Sequence, residues 1–405
     1  LKFYILLRLS SLGDIILASG LPHYIKEREP ESKVIIIRGS SFEGIFPYNP
    51  QVDIDVRYEK QTRDTTPSLQ ELCKLIHKMA DSAPRIEIHF ADLQNNKRSN
   101  TLLYLFMRYL RKEIVDRDLF LSHLELEKYR GAKLAMVYGK YMPLFISGTF
   151  GSKNKSSSDA IAALTTKTSR RRLQLRTMLK LPFVILRYYD TVYGKGTARR
   201  NKQIGKRVHI MPEIWLKKDQ DLGRYLPNDR INKQSDQQNK HIVLAPGAAH
   251  FNKRWPSEKF AELADLFVKN NWKVTLVGGP NDSQLLNEII LMAHYKGIDH
   301  FVSEGGAQDT ALLLDEYSAV ITNDSAVAHI AYARRIPVFA IFGATVPELG
   351  FAPKSDRFTV IQDDEVNCRP CTHIGSERCP KGHFRCMLNI KPKTIFDTVQ
   401  SLLKI

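Results

Sequence analysis

Leu7-Arg8-Leu9-Ser10-Ser11-Leu12-Gly13-Asp14 decides the reading of the fold, because an apolar run stops there in a tight turn and a helical pattern begins. Residues 2–9 read as a buried strand and residues 15–27 as a helix, with Gly13 relieving the turn between them. A first turn built for a dinucleotide would carry G-x-G-x-x-G and leave backbone N–H groups open to phosphate. Asp14 would repel a phosphate at that spot, so this crossover reads as a carboxylate site rather than a nucleotide cradle. The positive end of a helix favours the ionised acid, which suits Asp14 for taking a proton from an attacking hydroxyl. Helix capping alone accounts for the residue equally well, since Asp is among the preferred caps.

Outward from this turn, strand and helix patterns alternate. Strands are expected at 33–38, near Ile54 and at 86–90, with helices at 69–79 and 99–110, and Asp92-Leu93-Gln94 follows the third of these strands. The alternation predicts a doubly wound, mainly parallel sheet. A chain of 405 residues exceeds what one core serves, and 43% hydrophobic residues can fill two. The expected division is an N-terminal Rossmann-like domain over 1–225, a polar linker over 226–240 and a second such domain over 241–405. In the second half, strands at 241–245, 273–277, 319–322 and 337–342 alternate with helices after Pro256, at 310–317 and from Ser325. Two such domains facing a central cleft form the expected α/β architecture, with ligands outside the carboxyl ends of the strands.

The charge is +17 and unevenly spread: residues 151–206 hold fourteen Lys or Arg against Asp159 and Asp190 alone. This basic segment lies within an insertion, about 138–211, that breaks the alternation. Arg170-Arg171-Arg172 followed by Leu173, Leu175, Met178, Leu179 and Leu181 suits an amphipathic element resting on an anionic membrane surface. A solvated insertion explains the same charge. Nucleic acid is not the expected partner, because no nucleic-acid motif accompanies the basic residues. No apolar run approaches the ~20 residues that span a bilayer, and the N-terminal residues read as a strand rather than a signal, so a cytoplasmic protein is expected, peripheral on the inner membrane.

Three stretches of the second half carry anion chemistry. Asn323-Asp324-Ser325-Ala326-Val327-Ala328-His329 follows a strand and opens a helix with small residues, leaving free N–H groups and a helix dipole that suit a diphosphate. Lys253 follows the small-residue loop Gly247-Ala248-Ala249 and precedes a helix, placing a cation at a second strand end; an ordinary surface cation above a packed Trp255 explains it too. Asp282, after Gly278-Gly279-Pro280, stands where a carboxylate accepts bonds from a ribose diol, although the same residues describe any turn.

Together Arg8–Asp14, Asp92-Leu93-Gln94, Lys253-Arg254-Trp255-Pro256, Thr322-Asn323-Asp324-Ser325 and Phe342-Gly343-Ala344-Thr345 resemble glycosyltransferase family 9, the ADP-heptose:lipopolysaccharide heptosyltransferases. The resemblance covers about 1–110 and 240–390. It implies a GT-B fold, an ADP-sugar donor held by the C-terminal domain, inversion at the anomeric carbon, and no cofactor required for catalysis. It assigns Asp14 the role of general base and Lys253 that of the cation on the donor diphosphate. It places Asp282 on the adenosine ribose and Asp324, Ser325 and His329 in the phosphate loop, and Ser11, Gly13, Gly247, Ala248 and Ala326 complete the expected donor-binding set. Ala326 stands where the family often has Gly, and Ala248 and Ala249 where some members carry hydroxyls.

Four of the five cysteines follow the pattern Cys368-x2-Cys371-x7-Cys379-x6-Cys386, and Cys73 stands apart. In a cytoplasmic chain such thiols suit a structural zinc or iron site better than disulfides. An iron-binding cysteine motif is also a feature of the related autotransporter heptosyltransferases. The expected function is transfer of a heptose or similar sugar from an ADP-sugar to a glycolipid acceptor, a hydroxyl of lipopolysaccharide or a related envelope glycolipid. The alternatives are protein-O-heptosylation of Ser in an envelope protein, and a non-catalytic basic metal-binding protein.

Overall fold

The structure, a computed structural model of the chain, describes residues 1–79, 83, 86–94, 97–113, 119–121, 211–221, 240–353, 355–372 and 374–403. The basic segment 151–206 with its amphipathic stretch, and the linker expected at 226–240 apart from Lys240, lie outside these residues. The described residues divide into two compact units, one through Pro212 and one from Glu213 onward.

In chain order the first unit contains β1 (Lys2–Arg8), α1 (Leu12–Ala18), α2 (Leu21–Arg28), β2 (Lys33–Gly39), β3 (Ile54–Tyr58), β4 (Thr65–Thr66), α3 (Leu69–Met79), β5 (Ile86–Asp92), α4 (Lys97–Glu113) and β6 (Leu119–Leu121). The sheet order is β4-β3-β2-β1-β5-β6, and β1 pairs in parallel with both β2 and β5. The strands are short continuous apolar runs, as expected where helices cover both faces of a parallel sheet. Phe3, Ile5 and Leu7 of β1 pack with Ile35, Ile37 and Val56. On α3, Leu69, Leu72, Cys73 and Ile76 recur at helical spacing and are all buried, so Cys73 is a core residue.

One expected element is divided. The helix read over 15–27 is interrupted at Ser19-Gly20, and the chain restarts as α2 with Pro22 in its first turn. Pro22 has no N–H to return to Ala18, and its ring crowds that carbonyl, so a continuous helix cannot pass through it.

The second unit contains α5 (Lys217–Asp221), β7 (His241–Ala245), α6 (Ser257–Lys269), β8 (Lys273–Gly278), α7 (Ser283–Met292), β9 (Ile298–Val302), α8 (Ala307–Leu314), β10 (Ala319–Asn323), α9 (Ala326–Ala333), β11 (Val338–Ile341), β12 (Phe358–Ile361), α10 (Arg385–Leu388) and α11 (Pro392–Leu403). Its sheet is wholly parallel in the order β12-β11-β10-β7-β8-β9. Phe260, Leu263 and Phe267 of α6 pack on Ile242, Leu244 and Val274, with Val399 of α11 behind them. Each such complete burial contributes roughly 1.5–3 kcal/mol.

The second unit begins earlier in the chain than the polar composition suggests. Arg334, with a side chain 0% exposed, binds Asp219 and Asp315 at 2.6 Å each and donates to the Ile214 carbonyl at 2.7 Å. Burial works against that charge, and the two carboxylates outweigh it, raising the guanidinium pKa. Residues 213–221, read from sequence as the end of the N-terminal domain, are therefore tied to the second unit. No helix among the described residues is long and apolar enough to cross a membrane.

Candidate active site

In each sheet the chain reverses its direction of growth once. In the first it builds outward from β1 to β2 and β3, then returns to place β5 on the other side of β1. In the second the same reversal falls between β7 and β10. Crevices open at such points, outside the carboxyl ends of the strands. The turn bearing Asp14 follows β1 and Asp92-Leu93-Gln94 closes β5; the loop bearing Lys253 follows β7 and Asp324-Ser325 follows β10.

At the first crevice Ser11 caps α1. Asp14 accepts from the Ser11 hydroxyl at 3.1 Å and its N–H at 3.4 Å, closing a reciprocal capping box. The Asp14 carboxylate also pairs with the Arg8 guanidinium, each side chain 16% exposed. The bonds that cap the helix thus also fix the orientation of the acid. Gln94 shapes the turn from the neighbouring strand: its Oε1 accepts the N–H groups of Leu9 at 3.1 Å and Ser10 at 3.0 Å. Asp92 in turn holds Gln94, accepting its N–H at 2.9 Å and the Ser99 hydroxyl at 2.6 Å. Arg8 and Gln94 were not singled out as site residues from the sequence. The available signal was their position, one at the end of a strand and the other just past one.

At the second crevice Lys253 Nζ lies 2.8 Å from Asp324 Oδ2, and the Thr345 hydroxyl donates to the same oxygen at 2.7 Å. The side chains of Lys253 and Asp324 are 15% and 9% exposed. Burial opposes ionisation of Asp324, but the Lys253 charge and hydrogen bond, the Thr345 hydroxyl and the nearby His329 together hold its pKa below the ordinary 3.8. Asp324 therefore faces the lysine rather than open solvent. It occupies one of the three ammonium donors and leaves the others to point elsewhere. Asn323 joins the two loops, accepting from Trp255 N–H at 3.0 Å and donating to the Pro246 carbonyl at 2.6 Å. Trp255 itself is buried.

Ser325 precedes α9 and its hydroxyl lies 3.1 Å from that of Thr322. Ser325, Ala326 and Val327 are half-buried, and the first-turn N–H groups of a helix have no intrahelical partner. His329 is buried one turn further in. Gly247 lies against Asp282: a side-chain carbon at Gly247 would come within 2.6 Å of the carboxylate. One oxygen of Asp282 accepts the Gly279 N–H at 3.0 Å, so this acid shapes its own turn as well as facing the Gly247 loop. Ala248 is buried, and its carbonyl accepts Arg254 Nε at 2.8 Å. The structure thus gathers Gly247, Ala248, Lys253, Asp282, Asp324, Ser325, Ala326 and His329 about the strand ends of the second sheet, and Ser11, Gly13 and Asp14 at that of the first.

The cysteines do not meet their expectation. Among the described residues no group of three or more His, Cys, Asp or Glu side chains is placed to hold a metal ion, and His373 lies outside those residues. Cys371 Sγ points to the Cys368 carbonyl at 3.5 Å, and Cys386 is packed into the apolar core. The zinc or iron expected at Cys368, Cys371, Cys379 and Cys386 is therefore not supported by a ligand set among the described residues. All four are free thiols. Burial first, then the charges of Cys368, Cys386 and Cys379, push the Cys371 thiol up to about 12. Burial pushes Cys386 up to about 11. At pH 8 both are expected to react with iodoacetamide at least roughly a hundredfold more slowly than an ordinary thiol, because only the thiolate attacks. Mass-spectrometric alkylation rates that match a free cysteine at pH 8 would contradict this environment.

Residues 211–381 match the family model described as glycosyltransferase family 9 (heptosyltransferase). Lipopolysaccharide heptosyltransferase 2 of Salmonella typhimurium is 25% identical over 229 residues, 55% of this chain and 62% of the relative. The protein of the same name from Escherichia coli is 25% identical over 231 residues, again 62% of its length. The match therefore spans less than two thirds of these relatives. Among solved structures, a glycosyl transferase family 9 protein from Veillonella parvula aligns over 99% of this chain and 97% of its own, with TM-score 0.62 and 15% identity. The E. coli ADP-heptose lps heptosyltransferase II aligns over 100% and 98%, with TM-score 0.59 and 17% identity. The shared fold is GT-B, with two doubly wound α/β units. Over residues 211–381, the chain is thus similar to glycosyltransferase family 9, and over its whole length it shares the fold of solved members.

Proposed function

We propose that this chain is an inverting glycosyltransferase that moves a heptose or similar sugar from an ADP-sugar to a hydroxyl of lipopolysaccharide or a related envelope glycolipid. The observation that carries the reading is the Lys253–Asp324–Thr345 cluster beside the N-terminus of α9, at the switch point of the second sheet. Departure of a nucleoside diphosphate from the anomeric carbon puts negative charge on its terminal phosphate. An aimed ammonium and open helix N–H groups are suited to receive it. Asp14 takes the proton of the acceptor hydroxyl as that oxygen bonds to the anomeric carbon. The bond to the diphosphate breaks with its electron pair, giving inversion. Asp282 is assigned to the ribose, and Ser11 and Gly13 to the edge of the donor.

The names of the relatives support lipopolysaccharide as the acceptor class. A solved E. coli heptosyltransferase with ADP-2-deoxy-2-fluoro heptose, TM-score 0.55, supports the donor class. A screen of nucleotide sugars for release of free nucleotide tests the reading, with ADP-heptose and a heptose-accepting lipid A precursor as the expected pair. Release from no ADP-sugar in the presence of acceptor would reject it. The basic segment 151–206 is assigned to an anionic membrane surface; unchanged liposome sedimentation after its deletion would remove that assignment.

A further inference from the structure

The segment between β12 and α10 leans on both loops of the donor crevice. Arg369 is half-buried, and its guanidinium donates to the carbonyl of Gly343 at 2.6 Å and to those of Phe342 and Thr345 at 3.1 Å each. It also donates to the Asp363 carbonyl at 2.8 Å and to Gln362 Oε1 at 2.9 Å. The N–H of Cys371 donates to the Ala344 carbonyl at 3.0 Å. Four consecutive carbonyls, 342 to 345, are thereby held by two residues of one segment. Thr345, at the end of that run, presents its hydroxyl to Asp324 at 2.7 Å.

A few residues further on, the same segment grips the other loop. Ser376 exchanges three hydrogen bonds with Asn252, next to Lys253, at 2.7, 2.8 and 3.1 Å. Gly375, at φ +114°, approaches His250 so closely that a side-chain carbon would lie 2.6 Å from it. The loop carrying Thr345 and the loop carrying Lys253 are set by one piece of chain.

We propose that Arg369 is a positioning residue for the donor diphosphate, acting through the Phe342–Thr345 carbonyls on Thr345 and thence on the Asp324–Lys253 pair. A planar fork of five donors can collect several carbonyls at once, whereas a lysine offers three donors from one point. The assignment of this crevice to a diphosphate is the reading of the preceding section, and the inference rests on it. The test therefore carries one readout that needs no ligand.

ADP affinity of the full chain is measured by calorimetry for the native protein, Lys253→Ala, Arg369→Ala, Arg369→Lys, Thr345→Val and the double variant Arg369→Ala/Thr345→Val, with amide hydrogen exchange on the same samples. Arg369→Ala is expected to weaken ADP about tenfold, the size of one lost hydrogen-bonded constraint. Arg369→Lys is expected to recover less than half of that loss on a logarithmic scale, and the double variant to lose little more than either single one, because the two act in series. Exchange is expected to speed up at residues 342–345 and 252–253 in Arg369→Ala without ADP present. Additive losses, full recovery by lysine, or unchanged exchange at those residues would overturn the inference. If the native chain fails to bind ADP while exchange responds as expected, the diphosphate reading fails and the brace stands. If Arg369→Ala does not fold, Arg369→Lys and Thr345→Val carry the cycle.

Discussion

Asp14→Asn is expected to lower the turnover of sugar transfer by about a hundredfold to ten-thousandfold, the usual worth of a positioned general base, while ADP binding stays within about twofold of native. The amide retains the size of the acid and an oxygen that can accept from Ser11, so α1 keeps its cap. What it loses is basicity and the pair with Arg8. That pair is only partly buried, and Arg8 keeps its bond to the Leu93 carbonyl. The expected stability cost is accordingly small, about 1 kcal/mol. Free-nucleotide release, ADP titration and thermal melting on one preparation separate the three quantities. Transfer within tenfold of native would remove Asp14 from the chemistry and leave it a capping residue.

Asp324→Ala is expected to destabilise the second unit by roughly 3–5 kcal/mol, because it leaves a largely buried ammonium without its partner. The side chains of Lys253 and Asp324 are 15% and 9% exposed, so solvent replaces little of what is lost. Thr345 loses its acceptor at the same stroke. Asp324→Asn retains an oxygen for both donors and is expected to cost less. The acid limb gives an independent check. The folded pKa of Asp324 is depressed below 3.8, so its contribution is complete above that value and disappears as pH falls through the depressed folded one. Native stability should therefore fall below about pH 4 more steeply than that of Asp324→Asn. Parallel acid limbs in urea titrations from pH 3 to 7 would show that the carboxylate contributes no net stability. A destabilisation below about 1 kcal/mol in Asp324→Ala would show that Lys253 is hydrated rather than paired.

The site was legible in sequence to the extent that its residues lie beside one another in the chain. Asp14 and Ser325 sit at strand-to-helix junctions, and the apolar runs of β1 and β10 locate those junctions without any tertiary information. Roles that depend on remote partners were not legible. Asp324 read as a residue of the phosphate loop, yet Lys253 and Thr345, brought to it from loops far along the chain, turn it inward as the group that aims the lysine. Asp92 and Gln94 formed part of a recognised motif, but their task of pinning the Leu9 and Ser10 N–H groups appears only when β5 lies beside β1. The metal expected from the cysteine pattern is likewise not supported among the described residues. Spacing along a chain does not say where sulfurs point, and here one faces a carbonyl while another enters the core.

By itself, the sequence determined the alternation of strand and helix, the two cores and the strand ends that carry polar groups, because apolar periodicity and turn residues act over a few neighbours. It did not determine the break at Pro22, the transfer of residues 213–221 to the second unit, or the strands β9 and β12. The Arg334 network and the edges of a parallel sheet are made by partners far apart in the chain. Only the tertiary structure decided that each sheet reverses where its motifs end, and that one cysteine-bearing segment grips both loops of the second crevice. Strand order and long-range hydrogen bonds are properties of packing, and no local pattern encodes them.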